Sequence, residues 1–461
     1  NGFSDKLTRI WVGIVNHSRA LPERPLKIAV IGTGIAGMAA AWLLNIRHSI
    51  TVYEQNDWIG GHSHTVDVHS AHGPIRVDTG FIVYNEVSYP NLVALFDYFG
   101  VPTKPSEMSF SASLDAGGFE YAGTNLNGLF GQRSNIISPR FWRMVKDIMR
   151  FYREAPSVLN RPADNTLSLG EYLEREGYDQ RFVNDHLMPM GAAIWSTTAA
   201  DMAAYPAQAF VRFFQSHGLL LLKNRPQWRT VEGGSYEYVR RLAESYRERI
   251  RLVAVKNVVR KKDKVMVIDR DGGTNAYDHV VFASHADETL RMISDPSSEE
   301  RRLLGAWQYT SNRAVLHSDP SLMPKRRQVW SSWNFLEGDA NAKLCVTYWM
   351  NRLQALETDE SFFVTLNPIR EPQANTKHNE FIYTHPYFNQ AALATQRELW
   401  SLQGGRRTWF CGSYFGYGFH EDALQSGLAV AEQLGGVPRP WRVTEQNGRI
   451  HLPAQKEGVS A

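Results

Sequence analysis

Three glycines, Gly32, Gly34 and Gly37, stand in the order GTGIAG, directly after the apolar run LKIAVI. Ile35 and Ala36 open the apolar stretch that follows. Such a turn brings backbone N–H groups to a helix start, where the positive end of the helix dipole adds to them, and the combination binds phosphate. Each glycine has its own reason to be there. Gly32 permits the tight turn, Gly34 lets the backbone approach a pyrophosphate, and Gly37 allows the helix to pack closely on the strand. Glu54 lies 22 residues after Gly32, at the end of a second strand-like run. A carboxylate there accepts both ribose hydroxyls and disfavours a 2′-phosphate. A glycine-rich turn of some other α/β fold accounts for the glycines alone. Strand, glycines, helix, second strand and acid in this order point to a dinucleotide.

Further constellations carry titratable or aromatic groups. His420, Glu421 and Asp422 stand together before the helical pattern ALQSGLAVAEQL. As chemistry, they present a proton acceptor and a helix dipole end. As structure, they are a helix opening with acids in its first turn. His62, His64, His69 and His72 crowd one short segment. No cysteine or acid cluster stands near them at ligand spacing, so no metal is expected. Trp195, in MGAAIWST, suits a substrate-cavity wall or an aromatic core.

These groups need a frame. LKIAVI reads as a buried strand, Ala36 to Leu44 as a helix and Ile50 to Tyr53 as a second strand. Strand signals return in RLVAVKNVV, KVMVID and HVVFAS, with DGG as a turn, and again in TWFC. The expected fold class is α/β, α+β overall. Residues 26–85, 228–290 and 405–437 assemble one Rossmann-type nucleotide-binding domain from three chain segments. Residues 86–227 and 291–404 form an interleaved mixed-sheet and helical substrate domain, the first insert dominated by helical periodicity and the second containing the strand LCVTYWM. Residues 1–25 read as a basic N-terminal arm and 438–461 as a loose C-terminal tail. The segment RFWRMVKDIMRFYRE (140–154) predicts an amphipathic helix. Phe141, Met144, Val145, Ile148 and Tyr152 share one face, while Arg140, Arg143, Lys146, Arg150 and Arg153 supply a basic excess. That face suits a solvated scaffold or an anionic bilayer.

At 461 residues the chain is too long for one simple core. Hydrophobic residues make up 43% and charged residues 21%, which argues against disorder. The net charge of +3 is too small to argue for nucleic acid. Two distant cysteines, Cys345 and Cys411, exclude a disulfide framework and fit a reducing compartment, so a cytoplasmic location, with peripheral contact at the membrane, is expected. The apolar stretch from Ile10 to Val15 is too short for a signal-peptide core, and no run suggests a spanning helix.

Beyond the fingerprint, the sequence resembles the FAD-dependent amine oxidase/carotenoid (phytoene) desaturase superfamily. The resemblance rests on GGHSHT after Glu54, VDTGFIVYN (77–85), VEGGSYEYVRRLAE, Val255 in VAVKNVV and the closing WFCGSYFGYGFHEDALQSGLAVAEQL. It implies non-covalent FAD, met by Gly60, Gly61 and His62, by Thr79, Gly80 and Phe81, by Val255, and by Gly412, Ser413, Glu421, Asp422 and Ala423. His62 stands where the family usually has Arg, and Ser413 where it usually has an acid. GFHED, MGAAIWST and NRPQWRTVEGG are similar to a bacterial subfamily of predicted NAD/FAD-binding oxidoreductases. A related domain forms the N-terminal part of plant cyclopropane fatty acid synthases, which implies a lipid acyl-chain substrate.

The expected function is hydride removal from a hydrophobic substrate, a desaturase-like reaction, with His420 on the substrate side. The carboxylates of Glu421 and Asp422 should turn away from the flavin, toward backbone N–H groups or basic partners. No second GxGxxG follows a strand, so oxygen, a quinone or a carrier protein is expected to take the electrons. Alternatives are a flavin amine oxidase, a flavin-dependent double-bond isomerase and a non-catalytic flavoprotein partner of a lipid methyltransferase. Cys411 lies inside a strand pattern, so no thioether link to FAD is expected.

Overall fold

The structure, a computed structural model, describes residues 24–70, 73–161, 167–338 and 344–453. Most of the N-terminal arm lies outside these residues. Arg24, at its end, pairs with Asp278 at 3.3 Å.

The frame of the site is a five-stranded parallel sheet. Its strands are β1 (Lys27–Ile31), β2 (Ser49–Glu54), β3 (Ile250–Leu252), β4 (His279–Phe282) and β5 (Thr408–Phe410), in the order β3-β2-β1-β4-β5. Segments remote in sequence thus meet in one sheet, with Ile28 opposite His279 and Val280 opposite Thr408. β1 is buried from Ile28 to Ile31, as a central parallel strand covered on both faces must be.

Helix α1 (Ile35–Asn45), IAGMAAAWLLN, combines strong helix formers with burial over nearly its whole length. The helix α4 (His420–Gln433) packs on it, and glycine sets the distance. A Cβ on Gly427 would lie 2.1 Å from the Ala36 carbonyl oxygen. The small residues of ALQSGLAVAEQ therefore allow the last helix to press against the first.

A seven-stranded mixed sheet forms the other large layer. It takes Phe110–Leu114 and Phe119–Ala122 from the first insert and five strands between Gln308 and Tyr387 from the second. The helical reading of 86–227 misses those first two strands. FSASL and FEYA are short, with small and polar residues among the apolar ones, and their partners lie elsewhere in the chain. Helices α2 (Pro90–Phe99) and α3 (Pro139–Glu154) complete the parts needed below.

The expected loose tail is overturned as far as residue 453. Trp441 stacks on Trp42, with ring centroids 5.8 Å apart. Arg439 binds Glu432 at 2.8 Å and Asn91 at 2.9 Å, and the half-buried Arg449 faces Asp422 at 3.5 Å. Each anchor is a single residue with a distant partner, so no periodicity announced it.

Candidate active site

The glycine turn has the geometry of a phosphate cradle. Gly32 sits at φ +105°, and a Cβ there would lie 2.7 Å from the Ala283 carbonyl oxygen. At Gly37 a Cβ would lie 2.1 Å from the Gly32 oxygen, so this glycine sets the packing of α1 on the sheet. Gly34 differs: a Cβ there meets no protein atom within 4 Å, and the residue faces the main cavity. Ile35 and Ala36, opening α1, line the same cavity, and no acid occupies the first turn of the helix. Glu54 is buried at the cradle's edge. It accepts from Thr33 N at 3.0 Å, Thr33 Oγ1 at 2.5 Å and Asn56 N at 2.9 Å. A carboxylate has about four acceptor sites, so with three taken about one remains for a ribose hydroxyl.

The next motifs form a second wall. Phe81 N donates to the His62 oxygen at 2.7 Å and Thr79 N to the His64 oxygen at 2.9 Å, which pairs GGHSHT with DTGF. A Cβ at Gly80 would lie 2.2 Å from the His62 oxygen. Asp78 ties in the third motif, accepting from Ser235 N at 2.9 Å, Ser235 Oγ at 2.8 Å and Thr65 Oγ1 at 2.6 Å. Its burial pushes its pKa up to about 6. Gly60, Gly61, His62, Thr79, Gly80, Phe81 and Val255 all line the cavity.

From the closing motif, Gly412, Ser413, His420 and Ala423 line the cavity. His420 stacks on Phe81 with centroids 3.7 Å apart, and its Nε2 lies 2.9 Å from Ser63 Oγ and 3.0 Å from Tyr238 OH. Burial, and secondarily His62, push its pKa down to about 3, so it is neutral at physiological pH.

Neither Glu421 nor Asp422 lines the cavity, and their carboxylates turn away from it toward backbone N–H groups, as expected. Glu421 caps α2 instead, accepting from Asn91 N at 3.1 Å and Leu92 N at 3.0 Å. Asp422 accepts from Phe419 N at 2.8 Å and faces Arg449 at 3.5 Å. Trp195 is both cavity wall and core aromatic: it lines the cavity and packs against Phe213 at 4.7 Å. Cys411 is buried, is not among the lining residues, and has its thiol pKa pushed up by burial.

The cavity is continuous, with a volume of about 1050 Å³. That lies at the top of the ~300–1,000 Å³ range of ligand sites and suits a large cofactor with a substrate beside it. Three residues absent from every sequence motif help to build it: His285, Tyr383 and His385. His62, His285 and His385 cluster, with ring centroids 5.2 Å apart for His62–His385 and 6.5 Å for His62–His285. Burial pushes the first two down to about 4 and His385 to about 3; His285 adds to the effect on His62, and both add to that on His385. His62 thus brings no formal charge where an Arg would. Its buried Nε2 has no protein partner. That orphaned nitrogen, the open space beside Gly34 and the spare capacity of Glu54 all fit FAD. Among the described residues no group of His, Cys, Asp or Glu is arranged to hold a metal ion.

Comparison with known proteins agrees with this geometry. The family model described as flavin containing amine oxidoreductase matches residues 35–435. Wild-type putrescine oxidase bound to putrescine aligns over 90% of this chain and 99% of its own, at 16% identity and a TM-score of 0.64. Cyclohexylamine oxidase from Brevibacterium oxydans IH-35A aligns over 89% and 99%, at 15% identity and a TM-score of 0.62. A CLA-producing fatty acid isomerase from P. acnes aligns over 89% and 98%, at 16% identity and a TM-score of 0.61. At these identities the likeness is one of fold. No curated protein matches the sequence closely enough to count as a relative.

Proposed function

The chain belongs to the flavin-containing amine oxidoreductases, and from that premise we propose that it removes hydride from a hydrophobic, lipid-like substrate. It is an FAD-dependent oxidoreductase with the Rossmann-type FAD domain and substrate domain of that family. FAD, when bound, supplies a hydride acceptor that oxygen or a quinone can reoxidise. The protein's own part is to hold the cofactor and to place the substrate.

The observation that carries the substrate reading is the wall of the arm leading away from the cradle. Phe110, Met190, Ile194, Trp195, Phe213 and Leu219 line it. Its carboxylate, Glu107, is already paired with Arg352 Nε at 2.6 Å. A cationic amine would therefore find no unpaired carboxylate among the described residues of this arm, whereas an acyl chain would find a largely apolar wall. His420 serves as a neutral hydrogen-bonding group between Ser63, Tyr238 and the cofactor's edge, with the substrate's proton passing to water. The fatty acid isomerase among the fold neighbours keeps double-bond isomerisation as a second reading.

Incubating the FAD-loaded protein with total membrane lipid and analysing the products by mass spectrometry tests this. The expected outcome is a lipid lighter by one hydrogen pair. An isomer of unchanged mass supports the second reading. No altered lipid sinks both and leaves the amine oxidase and the non-catalytic flavoprotein partner as the alternatives.

We infer, in addition, contact with an anionic bilayer through α3. Arg140 is bound by Asp115 and Asp185, and Arg150 by Glu154, so these are not available cations. Arg143 and Lys146 remain exposed beside Trp142, itself 48% exposed. Trp142 Nε1 donates to the Ile136 oxygen at 2.8 Å, adjoining Ile137, which is 84% exposed. Apolar side chains interleaved with cations suit the headgroup region of a membrane. Among the described residues no helix is long and apolar enough to cross one.

A further inference from the structure

The apolar arm reaches Arg225, a wall residue in the exposed loop after the helix Ala207–Ser216. Leu221 and Leu222 in the same loop are 45% and 57% exposed, next to the exposed Lys223 and Asn224. Arg225 Nε donates to the Leu221 oxygen at 2.5 Å. That bond anchors the guanidinium by its inner nitrogen and leaves the outer pair for other partners. Tyr152, from α3, lines the same cavity, and its hydroxyl interacts electrostatically with the Arg225 guanidinium. Burial raises the tyrosine's pKa, so the hydroxyl keeps its proton.

The remaining polar groups of the arm add no free charge. Glu107 is paired with Arg352. His186 is 6% exposed, and its Nδ1 lies 3.0 Å from Tyr121 OH, which itself donates to the Asp185 oxygen at 2.8 Å. The ring therefore donates from Nδ1, and its unpartnered Nε2 carries a lone pair. Burial first, then Arg225, hold its pKa near 4, so it is neutral. Arg225 has no carboxylate partner among the described residues. It is thus the one unpaired charge of an otherwise apolar arm.

We propose that Arg225 and Tyr152 seat the carboxylate of a free long-chain fatty acid, whose acyl chain runs inward toward the phosphate cradle. The assignment rests on the lipid-substrate reading and names the class of lipid. A guanidinium fork beside a hydroxyl donor matches the two oxygens of a carboxylate. A primary amine would face like charge. An ester would forgo the ion pair. A phosphate monoester would bring up to two charges to a single cation.

The test is equilibrium binding to the FAD-loaded protein, followed by the perturbation of flavin absorbance. The ligands are a long-chain fatty acid, its methyl ester, the primary amine of the same chain length and a single-chain phospholipid. The acid should bind at least about tenfold more tightly than the ester or the amine, the scale of one charge-assisted contact. Arg225→Gln should remove that preference while leaving ester affinity and FAD content unchanged. Arg225→Glu should shift the preference to the amine. Equal binding of acid and ester by the wild type, or an acid preference that survives Arg225→Gln, overturns the site. Tighter binding of the phospholipid overturns the carboxylate assignment. If the acid preference holds but no lipid is ever altered, the binding site stands and hydride removal fails, so the two readings are separable.

Discussion

Gly34 and Gly37 stand three residues apart yet should fail in different ways. A Cβ at Gly34 meets open space, so Gly34→Val should fold with near-normal thermal stability and lose FAD, because the branch fills the pyrophosphate's position. A Cβ at Gly37 collides with the Gly32 oxygen and the Ala283 side chain, so Gly37→Ala should lower the melting temperature of the apoprotein. Comparing FAD content with melting temperature separates the two effects. A Gly34→Val protein that retains stoichiometric FAD contradicts the cradle. His420→Ala should retain FAD and lose most substrate-dependent flavin reduction, because it removes the ring stacked on Phe81 and held by Ser63 and Tyr238. A reduction rate equal to wild type would make His420 purely structural. The glycines and Glu54 were legible because their chemistry is local and their spacing is set by one turn and two strands. His285 and His385 were not, because they reach the cavity from different sheets and only tertiary assembly brings them beside His62.

Among the elements, α4 shows how one sequence signal served two purposes. GFHED was legible as a helix opening, and His420 and Ala423 face the cavity. Glu421 satisfies N–H groups at the start of α2, a partner 330 positions away that no local pattern could name. Helix α3 was legible in its amphipathic period, but its cations were not equivalent, since the acids that neutralise Arg140 lie outside the helix. This sharpens the membrane prediction. Charge reversal at Arg143 and Lys146 should abolish flotation with anionic vesicles and leave FAD content intact. Reversal at Arg150 would test its ion pair rather than its lipid contact. Flotation unchanged by reversal at Arg143 and Lys146 rules α3 out as the contact.

For the whole molecule, buried histidine sets the expected pH response. Burial depresses His62, His64, His186, His285 and His317 to about 4, and His217, His385 and His420 to about 3. In the unfolded chain these groups bind protons from near pH 6.5 downward, while the folded state resists protonation until the depressed values. Stability is therefore lost as pH falls below about 6.5, on the order of 1 kcal/mol for each fully buried ring one unit below that point. Asp78 and Asp422, raised to about 6, oppose the trend, but they are two groups against eight. The melting temperature should drop by roughly 5 °C or more between about pH 7.5 and 5.5. A flat or rising curve would show that the rings are hydrated. The three-part assembly of the parallel sheet was legible because each part carries its own strand pattern. The packing of residues 438–453 was not, because it depends on isolated side chains. The central claim, an FAD-dependent removal of hydride from a hydrophobic substrate, meets its most direct test in anaerobic mixing of the FAD-loaded protein with a long-chain fatty acid while flavin absorbance is recorded. The oxidised flavin band should bleach and return when oxygen is admitted. A band left unchanged by fatty acids but bleached by a primary amine would contradict it.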